Sequence, residues 1–495
     1  MMSTPVILAI DQGTTNTKAL LISGSGAIVG RASRPMSVSY PRPGWAEQSA
    51  IDIWRTVVEV IAELAGETTT PEIAGLAISN QRESIILWDA ATGEPIGPCI
   101  IWQCRRSSER CAALRAAGHE PDVVERTGLG LDPLFPAAKL AWLLDNIPGA
   151  RVRAERGELR AGTVDSWLVW KLTGGRHVTD HSNASRTQLF NLRSLTWDRE
   201  MAELFDVPFA LLPEILPSDS LFGGTASGTT ALDVGVPIHA VLGDSHAALY
   251  GHGITAPGRI KVSCGTGSSL MLVTDRRIRS THGLSSTIAW SRSDAVLHAL
   301  EGNILVSGQT AAFTTRLLGL SNEDALTDLA QSVAGSDGVC FVPALAGLGA
   351  PHWCDQARGL ISGMSLGTKP AHIARAAFEA IALQIRDVFL AMEADLGAVL
   401  PSLCVDGGAS RNDFLMQLLA DLLDRPVKRG SNAEVSAFGA ARMAAESLGV
   451  WSDNKDYTDT DVCFQPDMAG GQRDAIVSRW QDAILRAKFT ADASH

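Results

Sequence analysis

What this chain lacks narrows what it does. Charged side chains are only 19% of its 495 residues, and the formal net charge is -12, so no broad basic face is on offer to a polyanion. Nucleic acid is therefore not an expected partner. No stretch reaches the roughly 18 uninterrupted apolar residues of a membrane span, and the opening MMSTPVILAI has no basic run before its short apolar segment. Neither membrane insertion nor export is expected. The eight cysteines, at 99, 104, 111, 264, 340, 354, 404 and 463, never form a Cys-x-x-Cys pair, and a chain this large needs no disulfides for stability. They are expected as reduced core thiols in a cytoplasmic protein. The Gly-x-x-x-x-Gly-Lys-Ser/Thr phosphate loop is also missing.

What is present is ample apolar material, 45% of residues, in a chain longer than one hydrophobic core normally serves. Two domains follow, 1–252 and 253–495, because GITAPG near residues 253–258 has turn chemistry and little periodicity. VILAI, ALLIS and AIVGRASR predict three strands in a meander, the first two joined by the turn DQGTTNTK. Trp54, Val57, Val58, Ile61 and Leu64 then predict a helix, with Ser49 as N-cap and Gly66 as stop. RIKVSCGTGSSLMLVT repeats the opening design half a chain later, with Gly265 and Thr266 where Gly13 and Thr14 stood. Beyond it, Pro370 opens a long core helix, and SLCVDGGAS runs a strand into paired glycines ahead of another helix, a place where backbone N–H groups bind phosphate or ribose.

The stretch GDSHAALYGHG, residues 243–253, offers chemistry of three kinds: Ser245 as nucleophile, His246 and His252 as metal ligands, or Asp244 as general base. The glycine-hydroxyl turns at Gly13 and Gly265 are suited to phosphate oxygens, and an acid such as Asp11 at the first strand end is suited to a hydrated magnesium ion.

The ordered set DQGTTNTK, ISNQRES, IWQCRR, GTVDSWLVWKLTG, HSNASRTQLFN, GDSHAALYG, CGTG, ALEG, GLGAPHWCDQARG and VDGGASRNDFLMQ resembles the FGGY carbohydrate kinases, and among them the glycerol kinases. The resemblance runs nearly end to end. It implies an α/β, two-domain ribonuclease H-like fold shared with actin and hexokinase, closing over ATP, Mg2+ and a small polyol, in a homo-oligomer (dimer or tetramer). Carried over residue by residue, it makes Asp244 the general base and Asp11 the magnesium-associated aspartate. Thr14, Thr15, Asn16, Lys18 and Thr266 become contacts of the phosphate turns, and Gly308, Gly408 and Asn412 contacts of the adenine nucleotide. Arg82, Glu83 and Trp102 become contacts of the polyol.

The chain departs from the glycerol kinase pattern at three pocket positions: Leu134 replaces a tyrosine, Ser245 a glutamine and Ser269 a phenylalanine. Those changes imply a wider or more polar pocket, hence a polyol larger than glycerol, such as a tetritol, with glycerol itself as the default. Lys18 stands for an arginine, and Cys354 for an aspartate in PHWCDQARG. No arginine occurs in SGTTALDVGVP, where many bacterial glycerol kinases bind fructose bisphosphate. The rival readings are a serine hydrolase using Ser245 with Asp492 and His495, a zinc site on His246 and His252, and a non-catalytic sugar sensor.

Overall fold

The computed structural model describes residues 5–66, 71–430, 432–451 and 460–492. The first half builds β1 (Val6–Gln12), β2 (Asn16–Ser23), β3 (Ile28–Pro35), α1 (Ala50–Ala65), β4 (Ile73–Asn80), β5 (Pro237–Gly243) and α2 (Asp244–Gly251). The second builds β6 (Ile260–Cys264), β7 (Ser268–Thr274), β8 (Ser285–Ser291), β9 (Val296–Ile304), α3 (Pro370–Leu396), β10 (Leu403–Asp406), α4 (Asp413–Leu423), β11 (Val427–Gly430) and α5 (Val435–Ser447).

The two sheets share one plan. In the first, β1, β2 and β3 form an antiparallel meander, and β4 and then β5 add in parallel beside β1. In the second, β6, β7 and β9 form the meander, and β10 and β11 add in parallel beside β6. The repeat seen in the sequence at the two turns thus extends through five strands, the duplicated α/β layout of the ribonuclease H-like ATPase fold.

Helix α1 begins where Ser49 accepts a hydrogen bond from the backbone of Asp52, and stops at Gly66. Its fully buried face is Ile53, Val57, Val60, Ile61 and Leu64, turned slightly from the predicted stripe, so that Trp54 and Val58 are half-buried. The long helix α3 buries Ala377, Ile381, Ile385, Val388 and Met392 as its spacing predicts, with Pro370 at the first position. The α4 helix differs from expectation at its start, because a 3-10 turn, Gly408–Arg411, stands between β10 and the helix.

The helices that follow the last strand of each repeat pack on one another. A Cβ at Gly439 of α5 would lie 1.8 Å from the Ala247 carbonyl oxygen of α2, and one at Gly251 would lie 2.3 Å from that of Val435. Only glycine permits so close a backbone approach. Helix α5, from the second half of the chain, lies against β1, β4 and β5 of the first sheet. One apolar cluster accordingly joins Ile7, Ala9, Leu242 and Leu249 to Met271, Val273, Phe438 and Ala441, while each half also keeps a core of its own. Among the described residues, no helix is long and apolar enough to cross a membrane. All eight cysteines are free; five are buried as expected, Cys340 and Cys354 are half-buried, and Cys463 is exposed.

Candidate active site

The two hairpin turns face one cleft. At the first, the Gly13 backbone N–H donates to the Asn16 carbonyl at 2.9 Å; at the second, Gly265 donates to Gly267 at 2.9 Å. Thr14 and Thr15 from the first turn and Gly265, Thr266 and Gly267 from the second line a cavity of about 450 Å3. The same cavity is lined by Arg82, Glu83, Trp102, Leu134, Asp244, Ser245 and Ser269. Side chains spread over more than 250 positions of sequence therefore converge on one space.

Asp244 opens α2, directly after β5, and remains 37% exposed to the cleft. Its Oδ1 accepts from Arg82 Nε at 3.1 Å and from its neighbour's backbone, Ser245 N, at 2.6 Å. No hydrogen bond among the described residues engages Oδ2. One oxygen orients the carboxylate, and the other is left to accept a proton.

Behind Asp244 lies a buried charge network whose core the sequence reading did not identify. Glu301 is fully buried and accepts from Arg82 Nη1 at 2.7 Å, Ser269 Oγ at 2.7 Å and Asn303 Nδ2 at 2.9 Å. Arg186, equally buried, pairs with Glu301 at 2.9 Å, with Glu83 through Nε at 2.7 Å and with the Asn303 amide oxygen at 3.0 Å. Burial alone would raise the Glu301 pKa, but the Arg186 and Arg82 guanidiniums outweigh it and hold this carboxyl well below the usual range. Both residues stood inside quoted motifs, ALEG and HSNASRTQLFN. A buried charge in an apolar setting was the signal that could have singled them out.

Glu83 adopts a left-handed backbone conformation, φ 59°, which a non-glycine residue takes only where its surroundings impose it. The buried Lys139 ammonium supplies part of that constraint, donating to the Glu83 carbonyl at 2.7 Å and to that of Ile101 at 3.3 Å. Burial lowers the Lys139 pKa to about 8. The Trp102 indole donates to Thr14 Oγ1 at 3.0 Å, tying an apolar surface of the cavity to the first turn.

The three departures from the glycerol kinase pattern all face this cavity. Leu134 packs with Leu129 and Phe135 against Trp102 and Trp353. Ser269 gives its hydroxyl to Glu301, so a site of apolar bulk has become part of the polar network. Ser245 Oγ has no hydrogen-bond partner among the described residues and lines the cavity.

Six of the residues assigned from the resemblance do not line it. Asp11, at the end of β1, accepts from Ser79 Oγ at 2.8 Å, and loss of solvent pushes its carboxyl up to about 6. Asn16 points to solvent and closes the first turn through its backbone. Lys18 pairs with Glu434 at 2.6 Å. Gly308 donates its N–H to the Gly265 carbonyl at 3.0 Å, and a Cβ there would sit 3.7 Å from Ala409, so it joins the second turn to the 3-10 turn containing Gly408. Gly408 is exposed. Asn412 caps α4 by accepting from Leu415 N at 2.9 Å and donates to Thr327 Oγ1 at 2.8 Å.

The rival readings of GDSHAALYGHG find little support. His246 is fully buried and neither ring nitrogen has a partner among the described residues; burial, helped by the Arg82 charge, holds it neutral. His252 Nε2 pairs with Asp406 at 2.7 Å, and no cluster of three potential metal ligands occurs among the described residues. Ser245 has no histidine partner there either; His495 and the Asp492 side chain lie outside the described residues.

Comparison with known proteins agrees with this geometry. The model of the FGGY family of carbohydrate kinases, N-terminal domain, matches residues 6–251, and that of the C-terminal domain matches residues 260–448. An apulose kinase of Pectobacterium atrosepticum is 46% identical, covering 99% of this chain and 100% of its own. A glycerol kinase of Symbiobacterium thermophilum is 43% identical, covering 98% and 99%. The crystal structure of Plasmodium falciparum glycerol kinase with ADP superposes with a TM-score of 0.90 at 31% identity, covering 98% of both chains. Duplicated sheets, paired turns over one cleft, and matches to both family domains across residues 6–251 and 260–448 together establish that this chain belongs to the FGGY family of carbohydrate kinases, ATP-using phosphotransferases.

Proposed function

We propose that the chain transfers the γ-phosphoryl group of ATP to a terminal hydroxyl of a polyhydroxy compound larger than glycerol. The observation that carries this reading is the shared cavity: two phosphate-type turns, a carboxylate with one unengaged oxygen and the Arg82–Glu83 pair all border it. Ser245 and Ser269 support the larger substrate, because small hydroxyl side chains stand where the glycerol kinase pattern has a long amide and a phenyl ring. Similarity to an apulose kinase supports a substrate other than glycerol. Eight free cysteines fit the reducing cytoplasm as its location.

Arg82 and Glu83 are fixed by buried partners, so a donor and an acceptor are presented to neighbouring hydroxyls in a set geometry. Asp244 Oδ2 takes the proton of the attacking hydroxyl as the oxygen–phosphorus bond forms, and ADP leaves with the displaced oxygen. The backbone N–H groups of the two turns bear on the phosphate oxygens. Asp11 fits a hydrated magnesium ion: it is a hard oxygen donor at the strand end beneath the first turn, with one oxygen unengaged and a carboxyl held near 6 by desolvation. Magnesium bound there would neutralise charge on the phosphates. Trp102 and Leu134 exclude water from the reacting end of the substrate.

Coupled ADP release measured across glycerol, tetritols, pentitols and ketoses tests the reading. A four- or five-carbon substrate should have the highest kcat/KM. Glycerol leading by a wide margin would sink the larger-substrate reading, and no ADP release with any of them would sink the reaction itself.

A further inference from the structure

Outside the cleft, a second cavity of about 460 Å3 gathers an unusual set of charges: Arg193, Arg277, Arg279, His298 and a single carboxylate, Glu125, with Leu192 beside them. None of these residues lines the active-site cavity. Glu125 and Arg193 belong to the first half of the chain, and Arg277, Arg279 and His298 to the second. The cavity therefore lies on the seam between the halves, and Arg277 strengthens that seam by donating through Nη2 to the backbone carbonyls of Val124, at 3.2 Å, and Glu125.

The charges do not balance. Glu125 is shared loosely among all three guanidiniums, at 3.2 Å from Arg193, 3.6 Å from Arg277 and 3.7 Å from Arg279. Two positive charges remain without a counter-ion in the cluster. Two nitrogens are also left over: Arg277 Nε and His298 Nδ1 are buried and have no hydrogen-bond partner among the described residues. A buried guanidinium N–H without an acceptor is costly, and native structures rarely keep one unless something else supplies the acceptor.

We propose that this cluster is a binding site for a small phosphoryl-bearing anion, separate from the nucleotide cleft. A phosphate monoester carries close to two negative charges near neutral pH and presents several acceptor oxygens, matching the excess charge and the unmet donor together. Planar guanidiniums suit such oxygens in paired contacts. Burial and the nearby Arg277 charge keep the His298 imidazole below its ordinary pKa, so it stands neutral while the site is empty. An anion among Arg193, Arg277, Arg279 and Glu125 would offset the arginine charge and draw a proton onto His298. Because both halves contribute side chains, an anion bound there bridges them.

The test uses the full-length enzyme with its cleft filled by a non-hydrolysable ATP analogue and magnesium, titrated with phenyl phosphate in a calorimeter. The expected result is one equivalent bound, with affinity at least ten-fold weaker in an Arg193→Ser, Arg279→Ser double variant. Those side chains are 82% and 62% exposed, so the variant should fold and keep its basal kcat and KM. Arg277→Lys, which keeps the charge and loses Nε, should also weaken binding several-fold. In the wild type, the His298 ring resonances should move toward the imidazolium form as the anion is added. No binding to the filled enzyme, or equal binding by wild type and double variant, would overturn the proposal.

Discussion

Replacing Glu301 by glutamine removes one negative charge from a place where four side chains depend on it, with almost no change in shape. Arg82 and Arg186, both buried, would keep only Glu83 and Asp244 as counter-charges, and the new amide NH2 would face donors whichever oxygen it replaced: Ser269 and Asn303 both donate to Oε1, and Arg82 and Arg186 both reach Oε2. Breaking a buried ion pair from one side costs about 3–5 kcal/mol; with the shape retained, a loss of about 3 kcal/mol is expected from the same source. Arg82 also orients Asp244 at 3.1 Å, so turnover should fall with stability, roughly 100-fold if the carboxylate moves by about 1 Å. Urea unfolding and coupled ADP release would measure the two effects. The pH dependence supplies a separate signature. Because the folded-state pKa of Glu301 is depressed, its stabilisation is fully present above the ordinary carboxylate pKa and is lost as pH falls from there through the folded value. Wild type should lose that increment in acid, and Glu301→Gln should not. A variant within about 0.5 kcal/mol of wild type, the range of an unimportant surface change, and with normal turnover would refute the assignment of this network as the support of the site.

Asp11, with its carboxyl raised to about 6, is protonated in the metal-free protein below that pH, so the KM for ATP with magnesium should climb as pH falls through 6. Higher magnesium should shift this limb to lower pH, and Asp11→Asn should remove it; a flat KM profile for wild type between pH 5 and 7 would contradict the role. Ser269→Phe should narrow the pocket and break the bond to Glu301, lowering kcat/KM for four- and five-carbon substrates at least ten-fold relative to that for glycerol. An unchanged preference across the substrate panel would show that position 269 does not set substrate size.

The parts of the fold legible in the sequence were those written locally. The hairpin turn at Gly13 and its echo at Gly265, the Ser49 cap and the apolar stripe of α3 each declare themselves within a short window, and the structure shows all of them. The crossing of α5 onto the first sheet was not legible, since glycines 251 and 439 acquire their meaning only when two distant helices touch. The same holds for the site. Asp244 stood out beside a strand end, but the Arg82–Glu301 and Arg186–Glu83 pairs span 219 and 103 positions and obey no period. Ser269 illustrates the limit most clearly: its motif identified it as a lost apolar wall, whereas its hydroxyl bond to Glu301 exists only in three dimensions.

The proposed phosphoryl transfer depends on Asp244 accepting the proton of the attacking hydroxyl. Its most direct test is Asp244→Asn assayed by ADP release with the best substrate of the panel, alongside unfolding to confirm a native fold. Loss of a general base costs typically 10²–10⁴-fold, roughly two to four orders of magnitude in kcat, and the substrate KM should change little because Arg82 and Glu83 are held by Glu301 and Arg186. Near-normal turnover by a folded Asp244→Asn enzyme would contradict the account.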